Sequence, residues 1–238
     1  MIRCDVLGVP FDAVTPEEAV RKGLALMETG GRVVTPNPEI LWLCHTDPAV
    51  MDAVAGADLI LADGVGVTRA ARKLGRPLPC RVTGADWLSR MLGVCAENGK
   101  KVFFLGGKPG VAETAARNCP GVTVCGVHDG YFKEDGPVLE AVREAKPDVL
   151  IVCLGAPKQE LWMYRNREAL SGILMAGLGG SLDVLAGHVK RAPVWIQKIG
   201  FEWLYRALRQ PSRVKRLFVI PKFLRAVAKQ KKREKKNG

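Results

Sequence analysis

The sequence predicts an α/β fold, a Rossmann-like and largely parallel sheet with helices on both faces, followed by a C-terminal amphipathic helical appendage. Three observations carry that prediction. The runs KVFFLGG, VTVCGV, PDVLIVCLG and GILMAGLGG are almost continuously apolar, as strands buried on both faces are. Helical segments of about 10–15 residues separate them, the spacing of a parallel sheet with crossover helices. The charge then changes abruptly near Ala192-Pro193. From Arg191 onward 15 Lys and Arg stand against two acids, whereas the preceding residues carry 21 against 22. The expected division is an α/β body over 1–193 and a basic appendage over 194–238.

Each element has a local reason. IRCDVLG alternates loosely, as a strand or hairpin does. TPEEAVRKGLALMETGG opens with a Thr cap and Pro at the first helical position and closes on Gly-Gly, so it is a helix. RVVTP is a short strand. PEILWLCHT and DPAVMDAVAGA are two helical pieces, DLILAD a buried strand, GVGVTRAARKLG and GADWLSRMLGVCAENG helices. The strands named above then alternate with helices in PGVAETAARNC, GPVLEAVREAK and PKQELWMYRNREAL. Two further helices are expected over about 194–210 and 212–230, parted by Gln210-Pro211, with Pro221 kinking the second.

The chain has 238 residues, 47% of them hydrophobic, enough for a full core. No apolar run approaches the ~20 residues that cross a bilayer. Asp5 interrupts the stretch where a secretory peptide would be apolar, so no signal peptide is expected. Seven cysteines without a C-x-x-C pair read as free thiols of a reducing cytoplasm. His45, His128 and His188 lie far apart, and no D-x-D motif is present, so no metal site is assigned. The net charge of +12 sits entirely in the tail. Such a tail suits a polyanionic partner, a nucleic acid or an anionic membrane.

Ligands of parallel sheets gather at the C-terminal ends of the strands. The segments there are TPN, ADGVG, GGKPG, GAPKQE and GLGGSLD, rich in Gly and Pro with a few polar residues. Gly106 and Gly107 in FFLGGKPG would let backbone N–H groups approach a phosphate, or would simply form a tight turn. Asp63 ends an apolar strand, where desolvation favours a carboxylate ready to take a proton. Its bland alternative is the N-cap of the following helix. Arg81 could clamp a phosphate, and Thr83 beside it could cap. Gln159 could bond a sugar or base, or sit solvated in a first helical turn.

The tail interleaves Lys and Arg with Trp195, Ile199, Trp203, Leu217, Phe218, Phe223 and Leu224. So many large apolar residues favour a membrane interface over nucleic acid. A packed helix with a solvated end is the third reading.

The motifs VTPNPEIL, ADGVG, RVTGADW, FFLGGKPGVAE, PDVLIVCLGAPKQE, GLGGSLDVLAGHVKRAP and GFEWLYRALRQPSRVKR occur in one order over nearly the whole chain. Together they closely resemble the bacterial WecG/TagA/CpsF glycosyltransferases, glycosyltransferase family 26, and within it the branch that builds the wall teichoic acid linkage unit. The resemblance implies a metal-independent, cofactor-free, inverting transfer. N-acetylmannosamine would pass from UDP to the 4-hydroxyl of GlcNAc on undecaprenyl diphosphate, giving a β-1,4 linkage. It implies a peripheral enzyme on the cytoplasmic face of the plasma membrane, with 1–193 as catalytic domain and 194–238 as docking appendage. Relatives assemble through the body, so a homo-oligomer is an expected partner. Carried over by motif, Asp63 matches the catalytic base. Thr35, Arg81 and Gln159 match other pocket residues, and Asn37, Gly106 and Gly107 join them as expected substrate-binding residues. Arg206, Arg213 and Arg216 match arginines that hold the lipid diphosphate. This moves Asp63 from cap to base.

Three other readings stay open. Relatives use other donors, such as UDP-N-acetylmannosaminuronic acid for exopolysaccharide or common antigen. A nucleotide-dependent oxidoreductase would need a G-x-G-x-x-G, which is not present in the chain. A nucleic-acid-binding protein would rest on the basic tail alone.

Overall fold

The structure, a computed structural model, describes residues 2–193, 196, 202, 204, 205 and 218–237. A hairpin of β1 (Arg3–Val6) and β2 (Val9–Asp12) precedes the main sheet. That sheet contains β3 (Gly31–Val34), β4 (Leu59–Ile60), β5 (Lys101–Gly106), β6 (Thr123–His128), β7 (Val149–Cys153) and β8 (Leu174–Gly177). Their order is β4-β3-β8-β7-β5-β6, and every neighbouring pair is parallel. The α/β class read from the sequence is the one observed.

Strand alternation divides the core in two. Val33, Leu59, Phe104, Ile151 and Ala176 face one side of the sheet. There they meet α1 (Pro16–Thr29), α5 (Gly84–Glu97), α6 (Val111–Arg117) and α9 (Ser181–Leu185). Their chain neighbours Val34, Ile60, Leu105, Val152 and Met175 face the other side. That side is covered by the hairpin, α2 (Pro38–Thr46), α3 (Pro48–Ala55), α4 (Val65–Lys73), α7 (Asp135–Ala145), α8 (Lys158–Arg165) and α10 (Val219–Asn237). Both strand faces are dry, which is why the strands read as continuous apolar runs. Each fully buried Leu, Ile or Val contributes roughly 1.5–3 kcal/mol.

Helix starts follow their caps. Thr15 Oγ1 accepts the Glu18 N–H at 3.2 Å and Glu18 Oε2 accepts the Thr15 N–H at 2.8 Å, a reciprocal capping box with Pro16 at the first position. Asp47 caps α3 through the Ala49 N–H at 2.9 Å. The Trp87 indole donates to the Ala19 carbonyl at 3.1 Å and ties α5 to α1.

Several boundaries differ from the sequence reading. DLILAD yields only the two-residue β4, at the sheet edge. The Ile60 N–H is taken at 2.9 Å by the buried Asp12 carboxylate, which also meets Lys22 at 3.1 Å. A side chain from the hairpin thus satisfies the edge. The short α9 within GLGGSLDVL was not foreseen. α8 stops at Arg165 rather than Leu170. α10 extends to Asn237, beyond the expected 230, and Pro221 lies in its first turn. A proline there has no intrahelical N–H bond to lose, so no kink follows. The helix expected over 194–210 falls almost wholly outside the described residues. No described helix is long and apolar enough to cross a membrane.

α10 packs on the body rather than standing apart. Phe223, Ala226 and Val227 are buried in the same cluster as Ile40, Leu41 and Cys44 of α2. Phe223, counted from the sequence among interfacial residues, is therefore covered by protein. Phe218 and Leu224 are exposed.

Candidate active site

Because all six strands are parallel, their outgoing loops share one edge. β5 leads outward to β6, while its neighbour β7 leads inward to β8. Diverging connections of this kind make a switch point, where crevices form.

Thr35, just after β3, is buried, and its hydroxyl donates to the Gly177 carbonyl at the end of β8, 3.2 Å away. Gln159, the second residue of α8, reaches the same turn from the other side. Its Oε1 accepts the Gly179 N–H at 2.9 Å. Its Nε2 lies 3.2 Å from where a Cβ on Gly177 would stand. Glycine at 177 thus leaves room for Gln159 and for Met163, whose Cε would lie 2.7 Å from that Cβ. Gln159 is only 2% exposed, which removes the solvated first-turn reading. Thr35 and Gln159 bracket the GLGG turn.

Asp63 follows β4 and is half-buried. The N-cap of α4 is Gly64, at φ 99°, with no side-chain cap bond. The N-cap position of α4 thus falls one residue past Asp63. The Val82 N–H donates to the Ala62 carbonyl at 3.2 Å, which lays the Arg81–Thr83 segment beside Asp63. A Cβ on Gly66 would lie 2.6 Å from Pro38, so α4 starts tightly against the TPNP loop. Asp63 thus sits where the loops of Arg81 and Asn37 meet. Asn37 caps α2, its Oδ1 accepting the Glu39 and Ile40 N–H groups at 2.9 and 3.1 Å.

Arg81 is half-buried and lines a small surface pocket with Thr83, Asp86 and Arg90. Thr83 caps α5 through the Asp86 N–H at 3.1 Å and donates its hydroxyl to Asp86 Oδ2 at 2.6 Å. Arg191, at the root of the appendage, donates to Asp86 Oδ1 at 2.8 Å. Partial burial pushes the Asp86 carboxyl up, but the bonds from Arg191 and Thr83 outweigh it and hold it below its ordinary range.

Gly106 and Gly107 form the β5 exit. A Cβ on Gly106 would stand 2.3 Å from the Cys153 carbonyl oxygen, and its φ is 131°, so the position admits only glycine. The Gly107 N–H donates to that same oxygen at 3.3 Å, and its carbonyl accepts the Gly130 N–H at 2.9 Å. Its N–H is thus engaged within the protein.

Glu160 escaped the sequence reading. It is 1% exposed, and it accepts the Gln159 Nε2–H at 2.8 Å. Burial, with Glu39 nearby, pushes its carboxyl up to about 7 despite the Gln159 bond. An acid in a first helical turn is ordinary in sequence, and only the packing reveals its burial.

Arg206, Arg213 and Arg216 lie outside the described residues, as do Trp195, Ile199, Trp203 and Leu217. Among the described residues no three His, Cys, Asp or Glu side chains gather to hold a metal ion. All seven cysteines are unpaired. On α10, Lys222, Arg225, Lys229, Lys232, Arg233, Lys235 and Lys236 are exposed with Leu224, as is Phe218 just before the helix.

The family model of the glycosyl transferase WecG/TagA/CpsF family matches residues 4–237. The chain is 37% identical over 207 residues to the N-acetylglucosaminyldiphosphoundecaprenol N-acetyl-beta-D-mannosaminyltransferase of Bacillus spizizenii, covering 85% of this chain and 80% of that one. It is likewise 37% identical over 243 residues to the protein of the same name from Staphylococcus aureus strain MW2, covering 98% and 95%.

Proposed function

The chain belongs to the WecG/TagA/CpsF glycosyltransferase family, and on that premise we propose that it transfers N-acetylmannosamine from UDP to the 4-hydroxyl of GlcNAc on undecaprenyl diphosphate. The observation that carries this reading is Asp63, a carboxylate at a strand end, one residue before the N-cap of α4, that lies where the Arg81 and Asn37 loops meet. The names of the relatives supply the acceptor and the sugar.

The chemistry is a single in-line displacement. The acceptor O4 attacks the anomeric carbon, the O4–C1 bond forms, and the bond from C1 to the UDP oxygen breaks with inversion. The O4 proton passes to the Asp63 carboxylate, which acts as general base. Charge that develops on the leaving diphosphate is met by Arg81 and backbone N–H groups, without a divalent ion. Gly106 and Gly107 shape the turn beside it. Thr35, Asn37 and Gln159 hold the donor, and Arg206, Arg213 and Arg216 hold the lipid diphosphate.

The acceptor explains the tail. Its diphosphate lies at a bilayer surface, so residues 194–238 act as a docking appendage on the catalytic body. Exposed cations there gain ~1 kcal/mol each near anionic headgroups. Thermal unfolding with UDP, UDP-sugars, NAD or nucleic acid tests the ligand class. UDP and UDP-sugars should raise the melting temperature, while a rise with NAD or nucleic acid alone contradicts the proposal.

A further inference from the structure

Gln159 has its amide oxygen on the Gly179 N–H and one amide N–H on Glu160 Oε1. A buried amide can flip, exchanging its oxygen and nitrogen, unless its neighbours distinguish the two ends. Here both do, because a backbone N–H needs the oxygen and a carboxyl oxygen needs the N–H. One amide N–H then remains for a substrate oxygen.

Glu160 is an expensive way to supply that acceptor. It is 1% exposed, its Oε2 has no hydrogen-bond partner among the described residues, and no cation pairs with it there. An apolar side chain of similar size would fill the same buried space at less cost. The groups around it offer no compensation. Glu39 and Cys44 of α2 interact with it electrostatically and bring no positive charge. β8 contributes only Leu, Met, Ala and Gly, and α3 adds Asp52, which is exposed.

We propose that Glu160 is a positioning residue for sugar transfer: by accepting the Gln159 amide N–H, it holds that amide in the one orientation that offers its remaining N–H to the donor. This rests on the reading of Gln159 as a pocket residue.

The test compares full-length Gln159→Ala, Glu160→Met, Glu160→Gln and the double variant Gln159→Ala/Glu160→Met. The assay uses UDP-N-acetylmannosamine and a short-chain lipid-diphosphate GlcNAc acceptor. Gln159→Ala should lower kcat/KM about 10- to 100-fold, the size of one hydrogen bond to a charged group. Glu160→Met should match it, and the double variant should be no worse than Gln159→Ala alone. Glu160→Gln, which can still accept the N–H, should stay within about threefold of wild type. Wild-type activity in Glu160→Met, or losses that multiply in the double variant, overturn the proposal. Wild-type activity in Gln159→Ala overturns the pocket role of Gln159 itself. A second readout does not depend on Glu160→Met folding. The Gln159 side-chain amide ¹⁵N resonance should titrate with a midpoint near the Glu160 value of about 7 and should stop titrating in Glu160→Gln. A resonance that does not move in wild type also overturns the proposal.

Discussion

Gln230 of α10 donates its amide N–H to the Asp5 carboxylate at 2.8 Å, across 225 positions of sequence, while its Oε1 accepts the Leu7 N–H at 2.9 Å. Arg76 and Glu234 pair at 3.2 Å on the same flank. These bonds fix the rotation of α10 on the hairpin, and that rotation sends Phe223 inward and Leu224 outward. Phe223→Ala should therefore cost about 3–5 kcal/mol in urea unfolding. Leu224→Ala should stay within about 0.5 kcal/mol of wild type. Equal effects at the two positions contradict this docking of α10.

The outward face of α10 carries the membrane prediction. Replacing Lys229, Lys232, Lys235 and Lys236 with Glu should weaken sedimentation with anionic vesicles. The deficit should be larger at low salt, since headgroup attraction is screened within about 8–10 Å at physiological ionic strength. Replacing Arg213 and Arg216 with Glu should instead depress transfer to a short-chain acceptor that needs no membrane. Unchanged vesicle binding in the lysine variant removes the docking role of the tail.

Glu160 predicts a pH dependence of stability. Its folded carboxyl titrates at about 7, against 4.5 ordinarily, so between those values the folded state binds the proton that the unfolded state has released. Stability therefore falls as pH rises through that window, by roughly 3 kcal/mol for a change of that size. Glu160→Gln should melt higher than wild type at pH 8 and lose that advantage at pH 5. An equal difference between the two proteins at both pH values contradicts the raised carboxyl.

In the proposed displacement, arginine and backbone N–H donors meet the leaving diphosphate, so transfer should proceed unchanged in excess EDTA. A sharp loss restored by Mg²⁺ or Mn²⁺ contradicts the metal-independent displacement.

The central strands were legible because a strand buried on both faces must be apolar throughout, and VFFL and VLIVC are. The α1 start was legible because Thr15 and Glu18 stand at capping-box spacing. The loops that bear Thr35, Asp63 and Gln159 could be placed at one edge as soon as the strands were read as parallel. Two features were not legible. An amphipathic helix shows that one face needs cover but not what covers it, so Phe223 was given to the membrane when α2 covers it. Glu160 reads as a solvated first-turn acid because its burial comes from packing near residues distant in sequence, Glu39 and Cys44 of α2 among them.

The most direct test of the proposed function is product formation by wild type and Asp63→Asn from UDP-N-acetylmannosamine and a short-chain lipid-diphosphate GlcNAc acceptor. Wild type should release UDP and form the disaccharide lipid. Asp63→Asn keeps the side-chain shape but cannot take the proton, so it should fold, bind UDP as wild type does, and turn over at least about 100-fold more slowly, the lower end of what a general base supplies. Wild type that makes no product, or Asp63→Asn that turns over normally, contradicts it.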